Sequence, residues 1–410
     1  MKKNRSNVNK IIWNTIGTTL NSFSSMIFLL VITRINGIEL SGVFSYAFSM
    51  CAIFQSIANY GGRNFQVSDY KKVFSDSEYF SSRFITVIGS VVVVLTYLLF
   101  FLNSFDVIYF VLILMLVKFT ETFADVYYGI FQKNDRLDYV GKSYTFKNLL
   151  GIIIFFLIDI LTKNIYYPVL SMLFVNILIF YFYDYLKVSK VSKLRIVSFK
   201  KSSAVLKASF GFFIYNFLVL VISNIPRMTV YQFLSESELG YYGILVMIPS
   251  VMTLLGSLII SPVLTDLSMY HNEKRYTDFD SLVRKLVIIT LTISILCMIG
   301  AYFLGDPVLS LLYGISFDGY SFTFLVFIVA GTFNVLTVIL SNLLTIYRKT
   351  KLQVFLYLSV LIFGITISII ATIHLGMNGA VFSYFMIMFF QYMLFTAYYT
   401  YEKREIRRLD

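Results

Sequence analysis

Ionisable side chains are scarce in this chain. Asp, Glu, Lys and Arg make up 14% of its 410 residues, where ordinary globular domains carry about 25%. A surface so poor in charge excludes a water-soluble globular protein. Cysteine is nearly absent too, and Cys51 and Cys297 both fall inside apolar runs. That excludes a disulfide scaffold and leaves them as small core residues. The two histidines, His271 and His374, have no Cys or carboxylate at ligand spacing, so no metal centre is expected. Five prolines and 21 glycines without a period exclude collagen and low-complexity disorder. Nor is there a Walker A sequence, a dinucleotide-binding glycine loop or a nucleophile elbow. No cofactor and no enzymatic activity are expected.

What the chain has is apolar length: 58% of residues are hydrophobic and 18% aromatic. A helix needs about 20 residues to cross roughly 30 Å of hydrocarbon. Runs of that kind recur at 11–33, 41–61, 84–103, 107–130, 148–162, 166–186, 208–230, 240–264, 286–305, 319–346, 352–373 and 378–400, the fifth being short. The fold class is therefore an all-α polytopic membrane protein with twelve transmembrane helices. A net charge of +12 invites a nucleic-acid reading, but the cations form no such surface: 30 of the 34 Lys and Arg residues lie in the seven segments that twelve alternating spans place on one side, residues 1–10, 62–83, 131–147, 187–207, 265–285, 347–351 and 401–410. The positive-inside rule puts both termini in the cytosol. The basic start followed by an apolar run imitates a signal peptide, but no small-residue cleavage site follows, and it reads as a retained first helix. The outer loops are too short for a catalytic domain.

The longest basic connection divides the chain into a lobe at 1–187, a cytosolic linker at 188–207 and a lobe at 208–410, six spans to each lobe. A shift of 198 residues superposes Ser41 to Ser45 on Leu239 to Gly243, each at the start of its lobe's second helix. Copies separated by six spans point the same way across the membrane, as in parallel-repeat transporters.

Polar residues mark particular faces. Asn14, Thr18, Asn21 and Ser25 fall within an arc of roughly 60° on the first helix; helix-helix hydrogen bonding and a wet lumen are both open readings. On the fourth, Lys118, Glu121 and Asp125 share a similar arc, with Lys118 about 18 Å from the outer end. Buried charges face a bundle interior and mark substrate or ion pathways, although a self-contained Lys118–Glu121 pair is the alternative. Arg34 and Arg227 sit at the outer ends of equivalent helices, either snorkelling to headgroups or lining an exit mouth. Asn216, Asn224 and Asn334 add polar atoms in later spans, and Asp159 lies near a helix end. The 31 Tyr and 42 Phe residues are explained by membrane belts and lipid-facing surface, and none is assigned to a site.

Four stretches resemble a known family: Arg34-Ile35-Asn36-Gly37 with Gly42-Val43-Phe44-Ser45-Tyr46 at the junction of helices one and two; Arg227 through Glu238-Leu239-Gly240-Tyr241-Tyr242 at its counterpart; Gly305 through Leu311-Leu312-Tyr313-Gly314, resembling the external turn after helix nine; and Leu375-Gly376-Met377-Asn378-Gly379-Ala380 at the entry to helix twelve. Together they resemble the polysaccharide-transport (Wzx-type) flippase branch of the multidrug/oligosaccharidyl-lipid/polysaccharide exporter superfamily. The chain departs from it at Ile225-Pro226, where the family often carries an acid.

The resemblance implies two six-helix lobes in a V around a central polar cavity, in the inner membrane of a bacterium. It implies undecaprenyl-diphosphate-linked oligosaccharides as substrates, moved to the outer leaflet for capsule, exopolysaccharide or O-antigen assembly. Membrane lipids, a polymerase and chain-length machinery are the implied partners. Lys118, Arg34 and Arg227 are then expected to meet diphosphate or acidic sugars. Asn14, Thr18, Asn21, Ser25, Asn216, Asn224 and Asn334 would hydrate the head group, and Glu121, Asp125 and Asp159 are the candidates for ion coupling. The rival within transport is a cation or drug exporter, for which an acid in the first helix is expected and only Asn14 and Asn21 are found. A glycan polymerase would need a long external loop.

Overall fold

The computed structural model describes residues 2–69, 71–102 and 104–409, without the side chains of 2–8, 350 and 409. Its order is α1 (Lys2–Asn36), α2 (Ile38–Asn59), α3 (Gly62–Ser68), α4 (Asp76–Phe101), α5 (Phe105–Lys133), α6 (Leu137–Thr162), α7 (Tyr166–Ile179), a π-helical turn (Phe180–Tyr185), α8 (Leu186–Val188), α9 (Phe199–Phe233), α10 (Glu236–Leu245), α11 (Met247–Ile260), a 3₁₀ turn (Ser261–Val263), α12 (Leu264–Asn272), α13 (Tyr276–Tyr313), α14 (Ser321–Ile346) and α15 (Thr350–Leu409). No strand occurs among the described residues. Among the described residues eleven continuous helical stretches are long and apolar enough to span a bilayer, which makes this a multi-pass membrane protein.

The last stretch is two spans. Sixty helical residues would extend about 90 Å if straight, three times the hydrocarbon thickness. Gly376 breaks α15 with φ 57° and ψ −136°, a conformation open only to glycine. A Cβ on Gly379 would overlap the Ala371 carbonyl, so the chain folds back on itself here and the expected twelve spans are present. At the first junction, Gly37 at φ 94° separates α1 from α2 in the same manner.

Several expected boundaries move, two of them with consequences for packing. The short fifth span at 148–162 is the outer part of α6, which begins at Leu137. Its first three turns contain Lys142, Lys147 and Asn148, whose polarity ends an apolar run without ending a helix. The expected external turn at Gly305 to Gly314 is mostly helix: α13 continues through Pro307 to Tyr313 and closes on Gly314 at φ 72°. Gly305 instead serves packing, since a Cβ there would press on the Phe324 ring of α14.

Two compact units form, residues 1–220 and 221–410. Within the first, α1 lies along α6 with backbones touching, because Gly17 faces the Gly141 backbone and Gly141 faces that of Trp13 and Asn14. Within the second, α14 packs on α11, α13 and α15, with Gly331 admitting Met252 and Pro249 and Gly256 admitting Val335.

Candidate functional site

The first unit encloses a cavity of about 350 Å³ among α1, α2, α5, α6 and α7. Each helix contributes side chains three or four positions apart, which places them on one face: Asn21, Ser24, Ser25 and Phe28 from α1; Phe48, Gln55 and Asn59 from α2; Lys118, Glu121, Asp125 and Tyr128 from α5; Tyr144, Lys147, Asn148 and Gly151 from α6; Met172 and Asn176 from α7. A second cavity of about 770 Å³ shares Gln55, Asn59 and Asp125 with it and adds Arg63, Asn64, Gln132 and Asn216.

Each charge on the first cavity's wall faces one of opposite sign. Lys118 Nζ lies 2.9 Å from Glu121 Oε2, and the Gln55 amide donates to the same oxygen at 3.1 Å. The Lys118 ammonium also sits 4.8 Å from the centre of the Phe48 ring. Asp125 accepts the Arg63 backbone N–H at 2.9 Å and faces the buried Arg83 guanidinium at 3.8 Å. Arg83 donates onward to the Asn59 carbonyl, and the Arg63 side chain donates to Gln132 at 2.8 Å. Lys147 donates to Asp184 at 2.6 Å and to the Tyr128 hydroxyl at 2.9 Å. Asn148 donates to Asn21 across α1 and α6 at 3.2 Å.

The polar stripe on α1 divides. Asn21 and Ser25 line the cavity; Asn14 and Thr18 do not appear on its wall. They lie where Gly17 and Gly141 bring the α1 and α6 backbones together, and Thr18 donates to the Asn14 carbonyl at 2.7 Å. The stripe is one face of a straight helix, but α6 closes against its inner turns. Lys118, Glu121 and Asp125 all line the cavity, and the pair proposed as the alternative, Lys118 with Glu121, is also formed. Asp159 is elsewhere: it is fully buried, and the Asn36 amide donates to both of its oxygens at 2.8 Å, tying the end of α1 to the end of α6. Asn216 lines the second cavity. Asn334 donates to Thr253 at 2.9 Å and Asn224 to Ser223 at 3.5 Å; both belong to the second unit. Arg227 lies beside Tyr242 and Tyr384 in that unit, and Arg34 is exposed at the end of α1.

Sequence reading missed Lys147, Asn148, Tyr128, Arg83, Arg63 and Asp184. Lys147 and Arg83 each fall one residue before an expected span, at 148–162 and 84–103, whereas α6 begins at Leu137 and α4 at Asp76. The usable signal was periodicity: Tyr144, Lys147, Asn148 and Gly151 already repeat at helical spacing. Asp184 gave none. Continuing the buried face of α7 through Met172 and Asn176 at the α period leads to Tyr183, but the π turn adds a residue and brings Asp184 inward.

The site is thus a polar, charge-paired cavity inside a membrane-spanning helical bundle. The profile of the family described as Polysaccharide biosynthesis protein matches residues 8–268, and the chain belongs to that family. It is 25% identical over 360 residues to the capsular polysaccharide biosynthesis protein CapF of Staphylococcus aureus, covering 85% of this chain and 89% of that protein. Its fold is that of the lipid II flippase MurJ in an inward closed conformation, with a TM-score of 0.72, 17% identity and coverage of 94% of this chain and 86% of that one. It is also that of a multidrug resistance MATE family transporter of the MOP superfamily in its inward-facing conformation, with a TM-score of 0.69, 12% identity and coverage of 96% and 99%.

Proposed function

We propose that this chain is a flippase that carries undecaprenyl-diphosphate-linked oligosaccharides from the inner to the outer leaflet of a bacterial cytoplasmic membrane by alternating access, for cell-surface polysaccharide assembly. The observation that carries the reading is the cavity: inside a membrane-spanning unit, its wall carries Asn, Gln, Ser and Tyr side chains and paired charges among apolar ones such as Phe48, Leu114 and Met172. Each sugar hydroxyl moved unpaired into hydrocarbon costs about 4–8 kcal/mol, and such a wall replaces the lost water. The names of CapF, a capsular polysaccharide biosynthesis protein, and MurJ, a lipid II flippase, support the substrate class.

The charge pairs give the wall a way to receive an anion. With no substrate, Glu121 neutralises Lys118 and Asp184 neutralises Lys147. A diphosphate entering beside them competes for the same ammonium groups as a charge-assisted acceptor. An inside-negative potential then favours outward movement by about 2.3 kcal/mol per charge per 100 mV. Thirty cations on one set of loops support cytosolic termini. The cation-exporter alternative fits less well, because Glu121 and Asp125 are each engaged by a resident cation and no acid stands on the α1 wall.

The test is flipping of a fluorescent lipid-linked oligosaccharide in proteoliposomes. Lys118→Ala is expected to reduce the rate at least tenfold and Lys118→Arg to restore most of it. An undiminished rate in Lys118→Ala removes this residue from the path, and no flipping by the unmodified protein of any prenyl-diphosphate glycan removes the function.

A further inference from the structure

The connection between α8 and α9 is the most one-sidedly charged part of the chain: residues 187–207 hold seven Lys or Arg and no Asp or Glu. One side of it is fixed to the protein. Val188, Val191, Leu194 and Val205 pack into an apolar cluster with Tyr79, Tyr127 and Phe131. The Arg195 and Val197 N–H groups donate to Ser77 and Ser81 at 3.2 and 2.9 Å, and Ser192 donates to Asp76 at 3.0 Å.

The other side is open. Lys190, Lys193, Arg195, Lys200 and Lys201 are exposed, interleaved with Ile196 at 76% and Phe199 at 72% exposure. Among the described residues none of the five cations is in an ion pair. The nearby acids are otherwise occupied: Asp76 by Ser192, Glu78 by its capping box with Ser75, and Asp184 by Lys147. Helices that are candidate spans end at Val188 and begin at Phe199, so the short segment between them is tethered on both sides close to the bilayer surface.

We propose that this connection is a docking surface for the headgroups of anionic phospholipids, with Ile196 and Phe199 seated among the acyl chains below them. Cations answered by no carboxylate, alternating with large apolar side chains at the boundary of a bilayer, match a negatively charged lipid surface in both charge and depth. The surface is independent of the cavity and stands whether or not the glycan reading holds.

Hydrogen exchange of the full-length protein in nanodiscs tests this, comparing phosphatidylcholine alone with phosphatidylcholine mixed with phosphatidylglycerol. Amides of residues 189–201 that carry no intramolecular bond are expected to exchange about fivefold slower or more in the anionic membrane. That difference should disappear at about 0.5 M salt, where the Debye length is only ~4 Å, and in the variant K190Q/K193Q/R195Q/K200Q/K201Q. The salt arm uses the unmodified protein, so it decides the matter even if the variant inserts poorly. Equal exchange in the two membranes, or a difference that survives high salt, overturns the proposal. Protection that appears only on adding undecaprenyl diphosphate overturns it as well, since the segment would then be a capture site for substrate.

Discussion

Replacing Asp184 by Leu removes the carboxylate that is ion-paired with Lys147. Lys147 is 6% and Asp184 0% exposed in their side chains, and their charged atoms are 2.6 Å apart. After the substitution the ammonium keeps only the Tyr128 hydroxyl at 2.9 Å. Removing one partner of a buried ion pair costs about 3–5 kcal/mol, because the remaining charge is stranded, while replacing both by apolar groups of similar size is neutral or stabilising by about 1–4 kcal/mol. The expected pattern is therefore two strongly destabilised single variants, Asp184→Leu and Lys147→Met, and a double variant close to the parent. Denaturant titration of purified protein in micelles, arranged as a double-mutant cycle, reads the coupling directly. Additive losses, or a single variant within about 1 kcal/mol of the parent, would show that the pair is solvated through the cavity and that its geometry carries little energy.

Other outcomes follow from particular contacts. Gly141→Ala would drive a Cβ into the Trp13 backbone, and overpacking of this kind costs about 1–3 kcal/mol; the midpoint of thermal unfolding should fall, and an unchanged midpoint would mean that α1 slides freely on α6. Asp159→Asn should leave any dependence of transport on proton or sodium gradients intact, because Asn36 seals both carboxylate oxygens outside the cavity; loss of that dependence in proteoliposomes would restore Asp159 as a coupling residue. Asp69 lies outside the spans. Burial raises its pKa, but the Phe74 and Val73 N–H groups, the Tyr79 hydroxyl and Lys133 outweigh that and hold it below the usual carboxylate value. A depressed folded value means the staple on residues 73–74 is complete above the unfolded pKa and is lost as pH falls through the folded one. Asp69→Asn should accelerate exchange of the Val73 and Phe74 amides at neutral pH, with the difference from the parent closing in acid after correction for intrinsic rates; a pH-independent difference would assign the staple to shape alone.

Much of the fold was legible because a bilayer leaves few choices. Apolar runs of spanning length must become helices, and the glycines at 37 and 376 stand where only a positive φ lets the chain reverse between them. Lys118, Glu121 and Asp125 were legible for a related reason: three ionisable groups on one face of an apolar helix must turn away from lipid, and they line the cavity. Where a span began was less visible, since a polar turn such as Tyr144 to Asn148 reads as loop whether it meets water outside the membrane or inside the protein.

The sequence by itself determined the class of molecule, the number of crossings and one wall of the cavity, because hydropathy and helical period are local properties of the chain. Apart from the local Lys118–Glu121 pair, which acid meets which cation was decided by tertiary structure. The π turn at Phe180–Tyr185 rotates Asp184 toward Lys147, the Gly17 and Gly141 contact draws α6 over Asn14 and Thr18, and Asn36 closes on Asp159 from a helix 123 residues away. A side chain's neighbours across a bundle depend on how helices approach and rotate, and no period along a single helix encodes that.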